Sequence, residues 1–327
     1  MNLPNNLQHS VELVISIVSW NTCDLLRKCL NSLIPYCRLG HTRIVIIDNA
    51  SSDQTPVMIR TEFPEVTLIE SGGNLGFGKA HNLLKAHSVE PFVLFLNPDT
   101  VFVENVHEPM LGLFNERPEL AVVGCRMTNL DGSLQPLGFQ SPTSPLTEFV
   151  NGLLVSRATL PLAERILPYH DPLRDGYVRK LYGGCLMVRR RVLDQVGRFD
   201  ERFFMYGEDV DLSRRVEAAG WRLYYLSSKR LIHLCGGASA KAPGRFATLM
   251  QCESISKLME KYYGPSGRRS YTVVVFTRAL LRMCLLLPAR MARELLGRES
   301  TELNGSWQKN LSLLQWSLGR ARAAIPK

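Results

Sequence analysis

The chain has 327 residues, 45% of them apolar, which is typical of a soluble globular protein with one large domain or two smaller ones. It contains no run of about 18 uncharged apolar residues, and its polar N-terminus lacks the pattern of a signal peptide, so we expect neither a membrane-spanning helix nor a secretory leader. Its 8 cysteines include no C-x-x-C pair, which argues against a zinc site and favours reduced thiols in a cytosolic protein.

The net charge of +9 is concentrated at one end of the chain. Residues 257–327 contain 13 Lys and Arg against 4 Asp and Glu, a net of +9, so residues 1–256 are neutral overall. Such asymmetry indicates an anionic partner for the C-terminal part, either a membrane surface or a nucleic acid.

Apolar runs of strand length alternate with helical periodicity over the first 126 residues. Strands are predicted at 12–19, 43–47, 66–69, 92–96 and 120–125, and helices at 24–33, 54–62, from the loop 72–79 to about 87, and at 106–115. This alternation predicts a mostly parallel sheet with helices on both faces.

A short acidic turn follows the fourth predicted strand. Asp99 lies in the sequence Asn97-Pro98-Asp99, directly after the apolar run 92–96. Ligands of open α/β sheets bind just outside the carboxyl ends of the strands, and a carboxylate there suits a hard cation such as Mg²⁺ or Mn²⁺. Considered alone, the same residues fit an ordinary Asx turn equally well.

The glycine-rich loop GGNLGFGK at 72–79 follows the third strand. It matches neither G-x-G-x-x-G nor G-x-x-x-x-G-K-[ST], and a dehydrogenase has its glycine fingerprint after the first strand. Because glycine has no Cβ, the loop is compatible with close approach of a ligand as well as with a purely structural turn.

Periodicity is weak over residues 127–180, and we interpret this stretch as a binding loop or lid. A strand at 182–188 and a short helix at 190–196 follow. A helix at 208–219 then has Glu208, Asp209 and Asp211 in its first turn. Complementarity with the helix dipole explains such acids, but the preceding aromatic residues also suit a carboxylate that acts as a general base.

The last predicted strand, at 221–226, is followed by His233 next to a glycine turn at 235–237. A single histidine is more often structural, although a neutral imidazole would suit a metal site that already contains Asp99. A helix is predicted at 245–263, and an apolar stretch at 271–296 is interrupted by four arginines. That pattern favours a helix lying in a membrane interface, with a core-packed helix as the alternative.

Six segments together resemble glycosyltransferase family 2, which has the GT-A fold, and especially its bacterial rhamnosyltransferase-like branch. The segments are ISIVSWN (15–21), IIDNASSD (46–53), GGNLGFGKAHN (72–82), FLNPDT (95–100), GGCLMVRR (183–190) and FDERFFMYGEDVDLSRR (199–215). The resemblance implies a Rossmann-like α/β catalytic domain at 1–245, with a nucleotide-sugar half at 12–126 and an acceptor half at 127–245. A basic helical extension follows at 246–327.

The resemblance also implies roles for individual residues. Asp209 matches the catalytic base of an inverting, single-displacement transfer, and Glu208 stands beside it. Asp99 matches the last acid of the family's D-x-D metal motif, His233 matches a further ligand, and Mg²⁺ or Mn²⁺ is the implied cofactor. Asn97 replaces the first acid of that motif, which makes the metal site less anionic. The implied donor-binding residues are Ser19, Asn21, Asp48, Asn49, Asn74, Gly76, Lys79, Asn82 and Asn97.

The expected reaction is therefore sugar transfer from a nucleotide-diphospho-sugar to a glycan or lipid-linked acceptor in bacterial surface polysaccharide synthesis. We expect dTDP-L-rhamnose as donor, with a UDP-sugar as the alternative. The basic C-terminal part predicts a cytoplasmic enzyme held on the inner face of the membrane, with an anionic membrane surface and no nucleic acid as partner. Two other classes are a nucleotide-binding oxidoreductase, which the missing fingerprint disfavours, and a non-catalytic membrane-associated scaffold, which the intact acids disfavour.

Overall fold

A computed structural model of the chain describes residues 11–38, 40–135, 144, 147–148, 170–234, 245–296 and 301–325. Within these residues, nine strands form one sheet. The strands are β1 (Leu13–Ser19), β2 (Thr42–Asp48), β3 (Thr67–Glu70), β4 (Phe92–Leu96), β5 (Thr100–Phe102), β6 (Leu120–Thr128), β7 (Gly176–Val178), β8 (Cys185–Arg189) and β9 (Arg222–His233). The helices are α1 (Cys23–Leu33), α2 (Thr55–Glu62), α3 (Phe77–Asn82), α4 (His107–Glu116), α5 (Arg190–Val196), α6 (Glu208–Ala218), α7 (Phe246–Leu295) and α8 (Thr301–Ser317).

The sheet has the strand order β3-β2-β1-β4-β8-β6-β9-β5, and β7 pairs with β9. The pairs among β1, β2, β3 and β4 are parallel, as is the pair of β6 with β9. β8 is antiparallel to β4 and β6, and both β5 and β7 are antiparallel to β9. The predicted α/β fold is confirmed, but the sheet is mixed rather than mostly parallel, with four parallel and four antiparallel pairs. The sequence does not show this because an apolar run does not reveal the direction of its strand.

Side chains that alternate along the central strands pack into two cores on opposite faces of the sheet. In β4, Leu94 belongs to one core and Phe95 to the other. Residues of α1, α2 and α4 complete the first core, and residues of α5 and α6 complete the second. Because both faces are covered, these strands are continuous apolar runs, and the prediction of helices on both faces is confirmed.

Several boundaries differ from those predicted. α3 ends at Asn82 and is followed by a short 3-10 helix, Leu83–Ala86, where the sequence predicts one helix to about residue 87. β5 is not predicted at all, and β9 continues seven residues beyond the predicted end at 226. The sequence pattern does not show the full length of β9, because the second half of the strand contains polar residues. Of these, Lys229 donates to Glu104 at 3.0 Å, and the Ser228 amide donates to Asp175 at 2.9 Å.

The C-terminal part is helical, as predicted. α7 leaves helical geometry at Gly264, where φ is 67° and ψ is −168°, so it consists of two helical parts. The first part packs against the segment before α6, with Leu258 beside Phe203. The second part packs against α8, with Tyr271 beside Trp316.

Within the described residues, α7 is also the one helix that is long and apolar enough to cross a membrane by length and composition. The relevant stretch has a mean hydropathy of 1.7 and is only 11% buried. The sequence predicts no membrane-spanning helix, because arginines interrupt the apolar run of this stretch. The helix nevertheless meets the criterion of length and composition, and this differs from that prediction.

Candidate active site

A cavity of about 270 Å³, called the first cavity here, lies at the carboxyl ends of β1, β2 and β4. The chain places β3 on one side of β1 and then returns to place β4 on the other, so this is the switch point at which open α/β sheets bind ligands. Eight predicted site residues line the cavity: Asn49, Asn74, Gly76, Asn97, Asp99, Glu208, Asp209 and His233. Five others are not among the described lining residues: Ser19, Asn21, Asp48, Lys79 and Asn82.

One corner of the first cavity joins the turn after β4 to the end of β9. The antiparallel pairing of β5 with β9 places Thr100 opposite His233 and so brings Asp99 beside the imidazole. His233 Nε2 lies 3.2 Å from Asp99 Oδ1 and 3.1 Å from Asn97 Nδ2. The predicted pair of Asp99 and His233 is therefore adjacent in space, although 134 positions separate the two residues in sequence.

Gln135 fixes the orientation of this histidine. Its Nε2 donates to the carbonyl of His233, and its Oε1 lies 2.9 Å from His233 Nδ1. Because that Oε1 can only accept, Nδ1 is assigned the proton, and in the neutral imidazole Nε2 presents a lone pair. Two acceptor atoms, His233 Nε2 and Asp99 Oδ1, then lie side by side, an arrangement that a bound cation stabilises.

The corner fits a divalent cation that obtains further ligands from outside the chain. Among the described residues, no group of three or more His, Cys, Asp or Glu side chains is arranged to hold a metal ion. Mg²⁺ commonly binds through one or two carboxylates and completes its coordination with water and phosphate oxygens. Asp99 and His233 match that limited protein contribution.

Two buried acids begin α6 on another side of the first cavity. They follow Tyr206 and Gly207, which have φ values of 68° and 89°. Asp209 Oδ2 accepts the Gly183 amide at 2.9 Å, and its Oδ1 accepts the Val210 amide at 2.7 Å. Burial raises the pKa of Asp209, and these amides oppose that rise because they favour the charged form. Asp209 is thus a fixed, desolvated carboxylate facing the cavity.

Glu208 lies in a less polar setting than its neighbour. Its Oε2 is buried and has no hydrogen-bond partner among the described residues. Burial, together with the charge of Asp209, raises the pKa of Glu208 to about 8. Two neighbouring carboxylates repel each other, so ionising both is unfavourable. The amide donors favour the negative charge on Asp209. At neutral pH we therefore assign the shared proton to Glu208 and the negative charge to Asp209.

We predict that Glu208→Gln flattens the dependence of stability on pH. An acid whose pKa is about 8 when folded and about 4.5 when unfolded holds its proton more tightly in the folded state. The folded protein therefore loses stability as pH rises from about 4.5 to about 8, and the isosteric amide removes this loss. In urea unfolding at pH 5, 7 and 8.5, the free energy of unfolding of the variant should increase relative to that of wild type as pH rises. The exposed Glu201→Gln is the control, and equal slopes for Glu208→Gln and wild type would contradict the assignment.

Asp211, the third acid of the turn, points away from the first cavity. It is fully buried and accepts from Arg215 at 2.8 Å and from Tyr262 at 2.7 Å, and it also pairs with Lys261. Since Lys261 and Tyr262 belong to α7, Asp211 connects α6 to the C-terminal helices. Its contacts indicate a structural role.

The ends of β1 and β2 form another edge of the site. Ser19 and Asp48 are paired in register, and both are buried. Asp48 Oδ2 accepts the Ser51 amide at 3.0 Å, while its buried Oδ1 has no partner among the described residues. Burial raises the pKa of Asp48. A buried oxygen without a partner is unusual, and a ligand N–H or hydroxyl would satisfy it.

Asparagines hold the loops around this edge. Asn49 Nδ2 donates to Asn74 at 3.0 Å and to the carbonyl of Gly76 at 3.2 Å, so it fixes the glycine-rich loop. Asn21 has a φ of 54° and accepts the Ser52 amide at 2.7 Å, which joins the loops after β1 and β2. Asn49 and Asn74 line the first cavity, whereas Asn21 is not among its described lining residues.

Gly76 shows why the glycine-rich loop needs glycine. Its φ is 81°, and a Cβ there would lie 2.1 Å from the carbonyl oxygen of Phe204. The neighbouring Phe77 amide donates to that same oxygen at 2.8 Å. The loop is therefore docked, backbone to backbone, on the segment that leads into the acids of α6, which supports the structural interpretation of this glycine.

Two predicted donor-binding residues point elsewhere. Lys79 lies 3.5 Å from the exposed carboxylate of Glu201. Asn82 donates to the Phe199 carbonyl at 2.9 Å and accepts the Phe199 amide at 3.1 Å. Both side chains connect α3 to the segment before α6, and we assign neither to donor binding.

Sequence reasoning missed three residues at the site. Trp20 lines the first cavity, and its buried indole N–H has no partner among the described residues. The feature of the sequence that could have identified Trp20 is its position directly after β1, inside the segment ISIVSWN. Gln135 belongs to a stretch without periodicity, and Tyr182 was interpreted only as part of a strand. The predicted lid at 127–180 falls mostly outside the described residues, as does the glycine turn at 235–237.

Comparison with known proteins places the chain in a family. The model for "Glycosyl transferase family 2" matches residues 14–197, and that for "Glycosyl transferase family group 2" matches residues 173–297. The chain belongs to glycosyl transferase family 2. The first match contains the ends of β1, β2 and β4, and the second contains the acids that begin α6, so the two matches together include the whole first cavity. The resemblance drawn from the six segments is confirmed.

Two relatives show the branch of this glycosyltransferase. The chain is 32% identical over 216 residues to the N-acetylglucosaminyl-diphospho-decaprenol L-rhamnosyltransferase of Mycobacterium tuberculosis, covering 61% of this chain and 69% of that protein. It is 26% identical over 226 residues to the rhamnosyltransferase WbbL of Escherichia coli K12, covering 67% of this chain and 82% of that protein. These similarities support the rhamnosyltransferase-like branch.

A solved structure supports the fold. The mannosyltransferase PcManGT of Pyrobaculum calidifontis, in complex with GDP-Man and Mn²⁺, superposes with a TM-score of 0.56 at 15% identity. The match covers 95% of this chain and 87% of that one. The GT-A arrangement therefore extends over most of the chain.

Proposed function

We propose that this glycosyltransferase transfers L-rhamnose from dTDP-L-rhamnose to a hydroxyl of a lipid-linked glycan acceptor, with inversion at the anomeric carbon. The observation that supports it most strongly is that Asp99 and Asp209 line one cavity from separate elements. One carboxylate is placed for a cation and diphosphate, and the other for a hydroxyl. The names of the relatives support rhamnose as the sugar and a diphospho-lipid as the acceptor carrier.

In the proposed reaction, Asp209 accepts the proton of the acceptor hydroxyl. The acceptor oxygen bonds to the anomeric carbon of the sugar as the bond from that carbon to the diphosphate breaks, and the nucleoside diphosphate leaves with the electron pair. A single displacement inverts the anomeric configuration and needs only one base, on the face opposite the leaving group.

The remaining residues of the first cavity position the donor. Asp48, with its unpartnered Oδ1, is placed to accept a hydrogen bond from the ribose or the base, and Trp20 offers an indole N–H. Asn97 Nδ2 contacts His233 Nε2, which lies beside Asp99 in the corner. A Mg²⁺ or Mn²⁺ ion bound by Asp99 and His233 would neutralise charge on the departing diphosphate. The Mn²⁺ bound by the mannosyltransferase of the same fold supports this cofactor.

The identity of the donor can be tested by assaying transfer from dTDP-L-rhamnose and from UDP-sugars to an N-acetylglucosaminyl-diphospho-lipid in the presence of Mn²⁺. We predict rhamnosylated product from dTDP-L-rhamnose, with the opposite anomeric configuration to the donor by NMR. Product from UDP-sugars but not from dTDP-L-rhamnose would show that the donor is a UDP-sugar. Retention of configuration would exclude a single displacement.

Membrane attachment is a second part of the proposal. The later turns of α7 expose large apolar side chains, with Leu285 78% and Met291 54% exposed, next to arginines. Apolar side chains beside basic ones suit a helix lying on an anionic membrane surface, and each large buried side chain contributes about 1.5–3 kcal/mol. These features support peripheral association with the cytoplasmic face.

We predict that the double variant Leu285→Gln/Met291→Gln binds phosphatidylglycerol vesicles at least about tenfold more weakly than wild type in sedimentation assays. Substitution is preferable to truncation after Ser270, since truncation would also remove Tyr271 from its contact with Trp316. The control is Val89→Gln, whose side chain is 90% exposed on the catalytic part. Undiminished vesicle binding by the double variant would refute this attachment site.

A further inference from the structure

A second cavity, also of about 270 Å³, lies between the catalytic part and the C-terminal helices. Its lining includes residues of α7 and α8 and the segment before β8. Tyr182, Tyr206 and Asp209 line both this second cavity and the first. The proposed base is therefore accessible from two sides, and a molecule in the second cavity lies next to it.

The lining of the second cavity is unusually basic. Four cationic side chains contribute to it: Lys180, Arg278, Arg282 and Lys309. Two carboxyls, Glu148 and Asp209, also line it, which leaves a net charge of +2 when both are ionised. Among the described residues, no carboxylate lies within salt-bridge distance of the Lys180, Arg278 or Lys309 side chains. Glu148 is near enough to Lys180 and Arg278 to interact with them electrostatically, and it offsets part of their charge.

We propose that the second cavity binds the phosphate or diphosphate group of the acceptor, an inference that rests on the proposed transfer reaction. Converging cations that outnumber the carboxyls of the same lining favour a phosphoryl anion, which accepts hydrogen bonds from arginine and lysine. The donor diphosphate is assigned to the corner of the first cavity by Asp99. A neutral glycan acceptor would gain little from four cations.

The position of Asp209 explains how such an acceptor is oriented. With its phosphoryl group among the cations, the first sugar of the acceptor lies between the two cavities and directs a hydroxyl to Asp209. The carrier would be a lipid, because Arg282 and Leu285 lie three positions apart on the same face of α7 and Leu285 is 78% exposed. The phosphoryl site thus adjoins the apolar surface assigned to the membrane.

The test compares a diphosphate-linked N-acetylglucosamine acceptor with a neutral alkyl N-acetylglucosaminide in detergent, measuring kcat/KM for each. We expect Lys309→Gln and Arg278→Gln each to lower the ratio of the two kcat/KM values at least tenfold, mainly through KM for the diphosphate acceptor. Lys309 is exposed on α8, so its variant should fold even if Arg278→Gln does not. Arg293→Gln, an exposed arginine of α7 outside the cavity lining, is the matched control and should leave the ratio unchanged.

The outcomes separate this inference from the proposed function. If wild type transfers no sugar from any nucleotide donor, the proposed function fails. If wild type is active and both cavity variants keep the wild-type ratio, the acceptor site alone is refuted. If the variants keep that ratio but lose binding to phosphatidylglycerol vesicles, the cations bind a membrane headgroup instead, and the acceptor assignment is likewise overturned.

Discussion

Asp209→Asn is expected to lower kcat by about 10²–10⁴-fold, the range that general-base catalysis contributes. The amide keeps the shape of the carboxylate but cannot accept the proton of the acceptor hydroxyl. The effect should appear in kcat, because Asp209 acts on the hydroxyl in the transition state and does not contact the donor diphosphate in the proposed arrangement. Steady-state transfer assays at saturating donor and acceptor measure it directly.

Asp211→Asn is the matched comparison on the same helix. Asp211 is fully buried and pairs with Arg215 and Lys261, so its replacement weakens a buried ionic network. Removing one partner of a buried ion pair costs about 3–5 kcal/mol. We expect a lower Tm but near-native kcat per folded molecule. If Asp211→Asn lost the larger catalytic factor while Asp209→Asn kept near-native turnover, the assignment of the base would be wrong.

Asp99→Ala is expected to abolish metal-dependent donor binding and to reduce turnover by at least about 100-fold. Loss of a residue that merely supports a metal ligand already costs about 10–100-fold, and Asp99 is proposed as a ligand itself. The affinity of the variant for the nucleotide-sugar should be the same in Mn²⁺ as in EDTA.

The exposed Asp131→Ala provides a control for the simple loss of one negative charge. It should keep the metal response of wild type. Full activity of wild type in excess EDTA would contradict a metal held at Asp99, whatever the behaviour of the variants.

The parts of the site that follow single apolar runs could be predicted from sequence. Asp48 and Asp99 lie where buried strands end, and parallel strands bring their ends to one edge of the sheet. The acids of α6 can be recognised because they occupy the first turn of a segment with helical periodicity. In each case the position of the acid can be predicted from its neighbours in the sequence, and the fold then brings these acids together.

Contacts between distant segments could not be predicted in the same way. The meeting of Asp99 with His233 depends on β5, a strand of three residues, and on the antiparallel pairing that β5 makes with β9. Gln135 reaches His233 from a stretch without any periodic pattern. Neither strand direction nor such a side-chain contact is encoded in a local apolar pattern.

The second cavity is a further case, since its cations come from segments far apart in the chain. Lys180, Arg278 and Lys309 each look like an ordinary solvated charge in the sequence. Only the packing of α7 and α8 against the segment before β8 brings them beside Asp209. The excess positive charge of residues 257–327 indicated an anionic partner, but not its position.

The most direct test of the division of labour between the two acids is a calorimetric titration of nucleotide-diphospho-sugar, in Mn²⁺, into wild type, Asp99→Ala and Asp209→Asn. We predict that wild type and Asp209→Asn bind the donor with the same affinity and that Asp99→Ala binds it at least about 100-fold more weakly. The opposite pattern, with native affinity in Asp99→Ala and lost affinity in Asp209→Asn, would contradict the account.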